Sequence, residues 1–493
     1  MASIPVVDVF AGPGGLNEGF SSLRGRDARV FSTVASVEMD PSAVATLRLR
    51  AAARHAVDED GCLPTAYHEF IAGRLSHDRL TSHPTFAAHW THAEDEVHQH
   101  VLSEQSRATS DEFIGRALHT TVRRDDPWVL VGGPPCQAYS MVGRSRRRHD
   151  ASFKDDHKHT LYREYLHLIA TFRPHVFVME NVKGMLSSQH GGGPIFQAIA
   201  ADLEHPAPDL KYTIRSCVVA GEAGGLDPSD FVIRAERYGV PQARHRVILL
   251  GVRSDVGVPS MLPLTVRRPV SVGDVLDDLP SIRSGVSRGE NSEERWLAAL
   301  MEGAKEAGVR LPKGIRPPAY SRGYVHDYQP RLSGELGEWI RGHAAEGVAQ
   351  HESRNHMPQD LARYAYLAFK GKQGERPKVT ELPSALRPLH SNLTQDSVPF
   401  TDRFRVQLQK SPSSTVTSHI SKDGHYFIHH DPLQMRSLSV REAARLQTFP
   451  DDYFFMGGRT QQYHQVGNAV PPFLAKQIGE IVAGLLGRGP VAP

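Results

Sequence analysis

Cysteine is scarce in this chain: 493 residues carry three, Cys62, Cys136 and Cys217. None lies in a CxxC pair, which excludes a disulfide framework and a zinc-ribbon pattern. Long apolar runs are missing too, since no uninterrupted stretch approaches the ~18–20 residues that span a bilayer. The opening "MASIPVVDVFAGPGG" has no basic start and no signal-type apolar segment. A cytoplasmic protein without membrane attachment is therefore expected. There is no internal repeat and no low-complexity tract. Charge of one sign is not in excess either: the formal net charge is +2, which alone implies nothing about nucleic acid. Histidine is plentiful, at 27, but the densest cluster, "HAEDEVHQH", does not put His92, His98 and His100 on one helical face. Without ligand logic of the HExxH kind, no metal is expected.

The length allows two or three domains. "PVVDVF" reads as a short strand, "AGPGG" as a tight turn and "LNEGFSSL" as the start of a helix. "FSTVASVEMD" supplies a second strand that ends in acids. Residues of about 50–125 are polar, with a largely helical pattern, and read as an insertion before the strand "WVLVGG". Further strands are "HVFVMENV", after the helix-like "LYREYLHLIATF", then "IRSCVVA" and "RHRVILLGV". This alternation predicts an α/β fold with a doubly wound, mostly parallel sheet. From about 254 to 435 proline, arginine and tyrosine rise and periodicity fades, as in a second, loop-rich domain. Helical pattern returns in "SVREAARLQTFP" and in "PPFLAKQIGEIVAGLL".

Two stretches carry chemistry. In "DVFAGPGG", Gly12, Gly14 and Gly15 separate a strand from a helix, with Asn17 where a third fingerprint glycine would stand. Glu38 ends the next strand, where an acid can accept from both hydroxyls of a ribose. A nucleoside cofactor follows, with an NAD enzyme and a methyl donor site both open at this point. In "VLVGGPPCQAYS", a strand delivers Cys136 after two glycines and two prolines. Arg144, Arg146, Arg147 and Arg148 follow closely, in "GRSRRRHD". They form either a solvated basic loop or an arm for nucleic-acid phosphates.

Together, "DVFAGPGGLNEGF", "GGPPCQAYS", "ENVKGML", "QARHRVILLGV", "REAARLQTFPDDY" and "QVGNAVPP", in that order, resemble the cytosine carbon-5 DNA methyltransferases of bacteria and phages. The resemblance implies a Rossmann-like catalytic domain that binds S-adenosyl-L-methionine, and transfer to a cytosine flipped out of double-stranded DNA. It implies Cys136 as the nucleophile at carbon 6, Glu180 as the acid at ring nitrogen 3, and Arg244 and Arg246 as the cations that orient Glu180, the cytosine carbonyl oxygen and the flanking phosphate. Phe10, Gly12, Gly14, Leu16, Glu38, Met39, Pro135, Leu161, Asn468 and Ala469 are implied at the cofactor. Arg144, Arg146, Arg147 and Arg148 are implied at the DNA, within a loop from Ala138 to about Thr160.

The expected division is 1–268 catalytic, 269–455 target-recognition with its supporting motif, and 456–493 returning to the catalytic domain. Arg316, Arg322, Arg331 and Arg354 are candidates for contacts from the second domain. The family's Asp for the adenine amino group has no assignable counterpart. By analogy the chain serves self-marking in restriction–modification or a related defence system, with restriction or defence proteins as partners and a monomer on DNA. The alternatives are an RNA (tRNA) cytosine-5 methyltransferase and a catalytically inactive DNA-binding regulator.

Overall fold

The computed structural model describes residues 3–25, 28–123, 126–135, 160–187, 189–190, 193–221, 223–256, 262–287, 290–320, 323–326, 328, 331–343, 347–388 and 402–488. Its centre is one sheet. The strands are β1 (Ile4–Val9), β2 (Phe31–Glu38), β3 (Val97–Gln99), β4 (Val129–Gly132), β5 (Val176–Val182), β6 (Tyr212–Arg215), β7 (Val232–Arg234) and β8 (His245–Arg253). They lie in the order β3-β2-β1-β4-β5-β8-β6, with β7 also paired to β8. The first five run parallel. β8 is antiparallel to each of its neighbours.

Side chains alternate across this sheet with the period of two that a pleated strand imposes. Ile4 and Val6 of β1, Val129 and Val131 of β4, and Val176 and Val178 of β5 enter one core. Val7 and Val9, Leu130, and Phe177 and Met179 enter the other. The first core is closed by α1 (Gly15–Ser21) and by a late helix, Pro472–Leu485, through Leu16, Phe20, Leu474 and Ile478. Runs buried on both faces are what a parallel sheet requires.

The segment read as an insertion is mostly helical, and it also contributes β3 to the sheet edge. Its first helix, α2 (Pro41–Asp60), is capped by the Asp40 side chain, which accepts from the backbone of Ser42 and Ala43 at 2.9 Å each. Gly61, with φ of 78°, ends it. The region read as loop-rich holds two long helices, Glu293–Glu306 and Pro358–Lys372, packed together. The first buries Trp296, Ala299, Leu300, Gly303 and Ala304, a helical stripe. Among the described residues no helix is long and apolar enough to cross a membrane.

From β1 the chain moves outward to β2 and β3, then crosses back to β4 on the other side of β1. That reversal opens a crevice at the carboxyl ends of β1 and β4, where ligands of doubly wound sheets bind.

Candidate active site

The turn after β1 is held in an uncommon backbone conformation. Phe10, Gly12 and Gly14 have φ of 53°, 55° and 88°, and only glycine adopts such values without cost. The Gly12 amide donates to Glu38 Oε2 at 2.8 Å. The amides of Met39 and Asp40 donate to Oε1 of the same carboxylate at 2.9 Å each. Glu38 thus fixes the turn after β1 to the end of β2. Asn17, in the position of a third fingerprint glycine, faces β2: its amide donates to Ser36 at 3.3 Å and its oxygen accepts from Thr33 at 2.5 Å.

Beyond Glu38 the crevice widens into a cleft of about 420 Å³, lined by Met39, Gln99, His100, Val101, Ser103 and Ser106. Met39 and Val101 are 61% and 52% exposed, high for apolar side chains. His100 stands just past β3, its amide donating to the Glu38 carbonyl at 2.9 Å. Its Nε2 is buried with no hydrogen-bond partner.

The second half of the crevice lies at β4 and β5. Register pairs Gly132 with Met179, so Gly133 and Glu180 are the next residues along. A Cβ on Gly133 would lie 3.1 Å from Glu180 Oε2, so a side chain there would crowd the carboxylate. Asn181 donates to the Pro134 carbonyl at 3.4 Å. From β8, Arg246 Nε reaches Glu180 Oε1 at 2.9 Å, a charge-assisted contact that fixes the carboxylate.

Arg244 does a different job. It is 2% exposed, and its Nη1 donates to the carbonyls of Val416 at 2.8 Å and Gly467 at 3.2 Å. Burial, then the Arg246 charge, shift its pKa down, opposed by Glu180. It joins β8 to the "SSTVT" segment and to the helix Arg459–Asn468. That helix ends at Asn468, and Ala469 and Val470 turn back onto α1, where a Cβ on Gly15 would come 2.2 Å from the Val470 carbonyl.

The pattern of the family described as "C-5 cytosine-specific DNA methylase" matches residues 116–483. The chain belongs to this family. It is 30% identical to the type II methyltransferase M.Bpa9945I of Bacillus paralicheniformis, over 98% of this chain and 99% of that protein. It is 29% identical to M1.HphI of Haemophilus parahaemolyticus, over 78% and 74% of the two chains. Among solved structures, a protein described as a DNA modification methyltransferase encoded within an E. coli prophage superposes with a TM-score of 0.57. That superposition has 20% identity and covers 98% of this chain and all of the other, which establishes the shared fold.

For this DNA cytosine-5 methyltransferase the methyl donor is S-adenosylmethionine, and the residues present fit it. A Cβ on Gly12 would meet nothing within 4 Å, so the turn faces open space beside Glu38. The two exposed apolar side chains and the unpartnered His100 nitrogen flank the cleft next to it. Among the described residues no group of three or more His, Cys, Asp or Glu is placed to hold a metal ion.

The crevice brings together Phe10, Gly12, Gly14, Glu38 and Met39 at one end, whereas Leu16 is 5% exposed and packs into the core against the late helix. Glu180 and Arg246 meet at the other end, with the exposed Pro135 leading toward Cys136. Leu161 lies in the first turn of the helix Thr160–Phe172, and Ala469 is 3% exposed beside α1. Asn468 is exposed, with its amide 3.2 Å from His464. Cys136, Arg144, Arg146, Arg147, Arg148 and Arg322 lie outside the described residues. Arg354 is 7% exposed, stacks on Tyr463 at 4.0 Å and donates to the carbonyls of Ile420 and Lys422. It is therefore a scaffold residue rather than one free to reach a base.

Sequence reading weighed His100 only as a metal ligand and missed Val101, because a three-residue strand gives no periodicity. It also missed Asp8 of β1, whose carboxyl is fully buried with neither oxygen hydrogen-bonded. Burial, then the nearby Glu38 charge, push its pKa well above the usual carboxylate range.

Proposed function

We propose that this enzyme methylates carbon 5 of a cytosine flipped out of double-stranded DNA, by a covalent route through Cys136. The observation that carries the reading is Glu180, paired with Arg246 at 2.9 Å and facing Gly133, three residues before the cysteine, where an added Cβ would come 3.1 Å from the carboxylate. Cytosine carbon 5 is a poor nucleophile. Addition of the Cys136 thiolate to carbon 6 breaks the 5,6 double bond and moves its electron pair toward carbon 5. Glu180, carrying a proton, donates it in a hydrogen bond to ring nitrogen 3 and so draws electron density from the ring, which makes carbon 6 electrophilic. Arg246 holds that carboxyl group in place. After transfer, loss of the carbon-5 proton expels the thiolate and restores the ring.

S-adenosylmethionine, when bound, supplies a methyl group on a sulfonium. Phe10, Gly12, Gly14 and Glu38 would hold its methionine and ribose parts, with Asn468 and Ala469 closing the pocket. Met39 and Val101 would flank the adenine, with His100 beside it. Residues 144–148 would contact phosphates, and 269–455 would carry target recognition, on a monomer. The type II names of the relatives support a role in self-marking within restriction–modification.

The test is duplex DNA carrying 5-fluorocytosine at the target, with purified enzyme and methyl donor. A denaturation-resistant adduct is expected with the parent chain and none with Cys136→Ser, which should still bind DNA. Active enzyme that gives no adduct would refute the covalent route.

A further inference from the structure

The hydroxyl of Tyr453 donates to the carbonyl of Pro13, in the middle of the turn between β1 and α1. Tyr453 is 1% exposed, and a Cβ on Gly14 would lie 3.1 Å from its oxygen. Burial pushes its pKa well above the ordinary tyrosine value, so it stays a donor. The turn needs an outside hold, because Phe10 at φ of 53° is in a left-handed conformation that its own side chain disfavours.

Tyr453 is itself anchored from the far side. Arg441 donates to its carbonyl at 2.7 Å and to that of Pro450 at 2.8 Å. Arg445 bridges Asp451 at 2.5 Å to Asp278 at 2.6 Å, across 167 positions of sequence. Arg50 of α2 lies 5.0 Å from the Tyr453 ring and pairs with both Asp452 and Glu18 of α1, at 2.9 and 2.5 Å. A continuous buried polar path therefore runs from residue 278 to the cofactor turn and ends on one hydroxyl.

We propose that Tyr453 is a positioning residue for the methyl donor: its hydroxyl sets the Pro13 peptide, and through it the approach of Gly12 and Gly14 to the ligand. The proposal rests on the placement of S-adenosylmethionine at this turn. Its consequence is that the segment supporting the second domain sets donor affinity without touching the donor.

Three variants of the full chain test it, with S-adenosylhomocysteine titrated by calorimetry and steady-state rates measured against S-adenosylmethionine. Tyr453→Phe deletes the donor and leaves a buried acceptor unpaired, so Kd and KM should rise roughly tenfold. At saturating donor kcat should stay within about twofold, the signature of lost binding rather than lost chemistry. Tyr463→Phe removes a matched buried bond, to the Leu438 carbonyl at 2.6 Å, and should cost stability without moving Kd. Glu38→Ala should abolish binding. If Glu38→Ala abolishes binding while Tyr453→Phe leaves Kd unchanged, or Tyr463→Phe raises it equally, Tyr453 has no positioning role. If Glu38→Ala itself leaves Kd unchanged, the donor is placed wrongly and the proposal falls with it.

Discussion

Arg246 and Arg244 sit two residues apart, yet the fold uses them differently. Arg246 directs Nε at a partly exposed carboxylate, whereas Arg244 spends its Nη1 on two main-chain carbonyls in the interior. Arg244→Met leaves those carbonyls unpaired and should lower unfolding free energy by about 2–4 kcal/mol. Any activity loss should follow the fraction unfolded. Arg246→Met should change stability by less than about 2 kcal/mol, because the pair is partly solvated. Its kcat should fall by roughly 10² or more as Glu180 loses its orientation. Urea melts alongside single-turnover rates separate the two. An inactive Arg244→Met with an unchanged midpoint would overturn the scaffold role.

At the scale of elements, α1 is buried along its whole length, with one face packed against the helix Pro472–Leu485. A Cβ on Gly19 would fall 2.4 Å from the Lys476 amide and 2.5 Å from both the Ala475 Cβ and the Pro472 carbonyl. Gly19→Ala should therefore cost about 1–3 kcal/mol by forcing the helices apart. At Gly12 a Cβ meets nothing, and the left-handed φ of 55° should cost only about 1 kcal/mol. Gly12→Ala should nonetheless weaken donor binding, because the new methyl enters the ligand space. Calorimetry and thermal melts should thus rank the two variants in opposite orders, and equal ranking would count against a donor at this turn.

The legibility of these elements followed from local pattern. The strand–turn–helix at 4–21 and the acid at the end of β2 are encoded within a few residues of each other, as is the strand that carries Glu180. β3 was invisible, because its three residues become a strand only by pairing with β2. The helices at 293–306 and 358–372 were masked by the proline- and arginine-rich segments around them. The partners of Arg244 stand 172 and 223 positions away. No local reading distinguishes such an arginine from its neighbour at 246.

The whole molecule is held at the seam between its sheet and its second region by buried polar groups, and this makes its stability depend on pH. His351 is buried between the Ser439 hydroxyl at 2.9 Å and the Pro280 carbonyl at 2.8 Å. Burial lowers its pKa to about 4, and that of His356 to about 3. His429, buried beside Arg436, is lowered too. An unfolded histidine titrates near 6.5, so as pH falls below that value the unfolded chain takes up protons that the native state refuses. Each such histidine therefore contributes stability that is complete above about pH 6.5. That contribution declines on acidification toward the folded value, by up to about 1.4 kcal/mol per pH unit. Asp8 works the other way: its raised pKa keeps a proton in the folded state that the unfolded chain has lost, so it opposes the histidines. The sum still favours neutral pH, and the urea midpoint should drop between pH 7 and pH 5 by an amount equivalent to on the order of 3 kcal/mol. His351→Gln can keep a hydrogen bond but cannot titrate, so its midpoint should drop less over the same interval. A parent midpoint that stays level from pH 7 to pH 5 would show that these histidines are not held neutral in the fold.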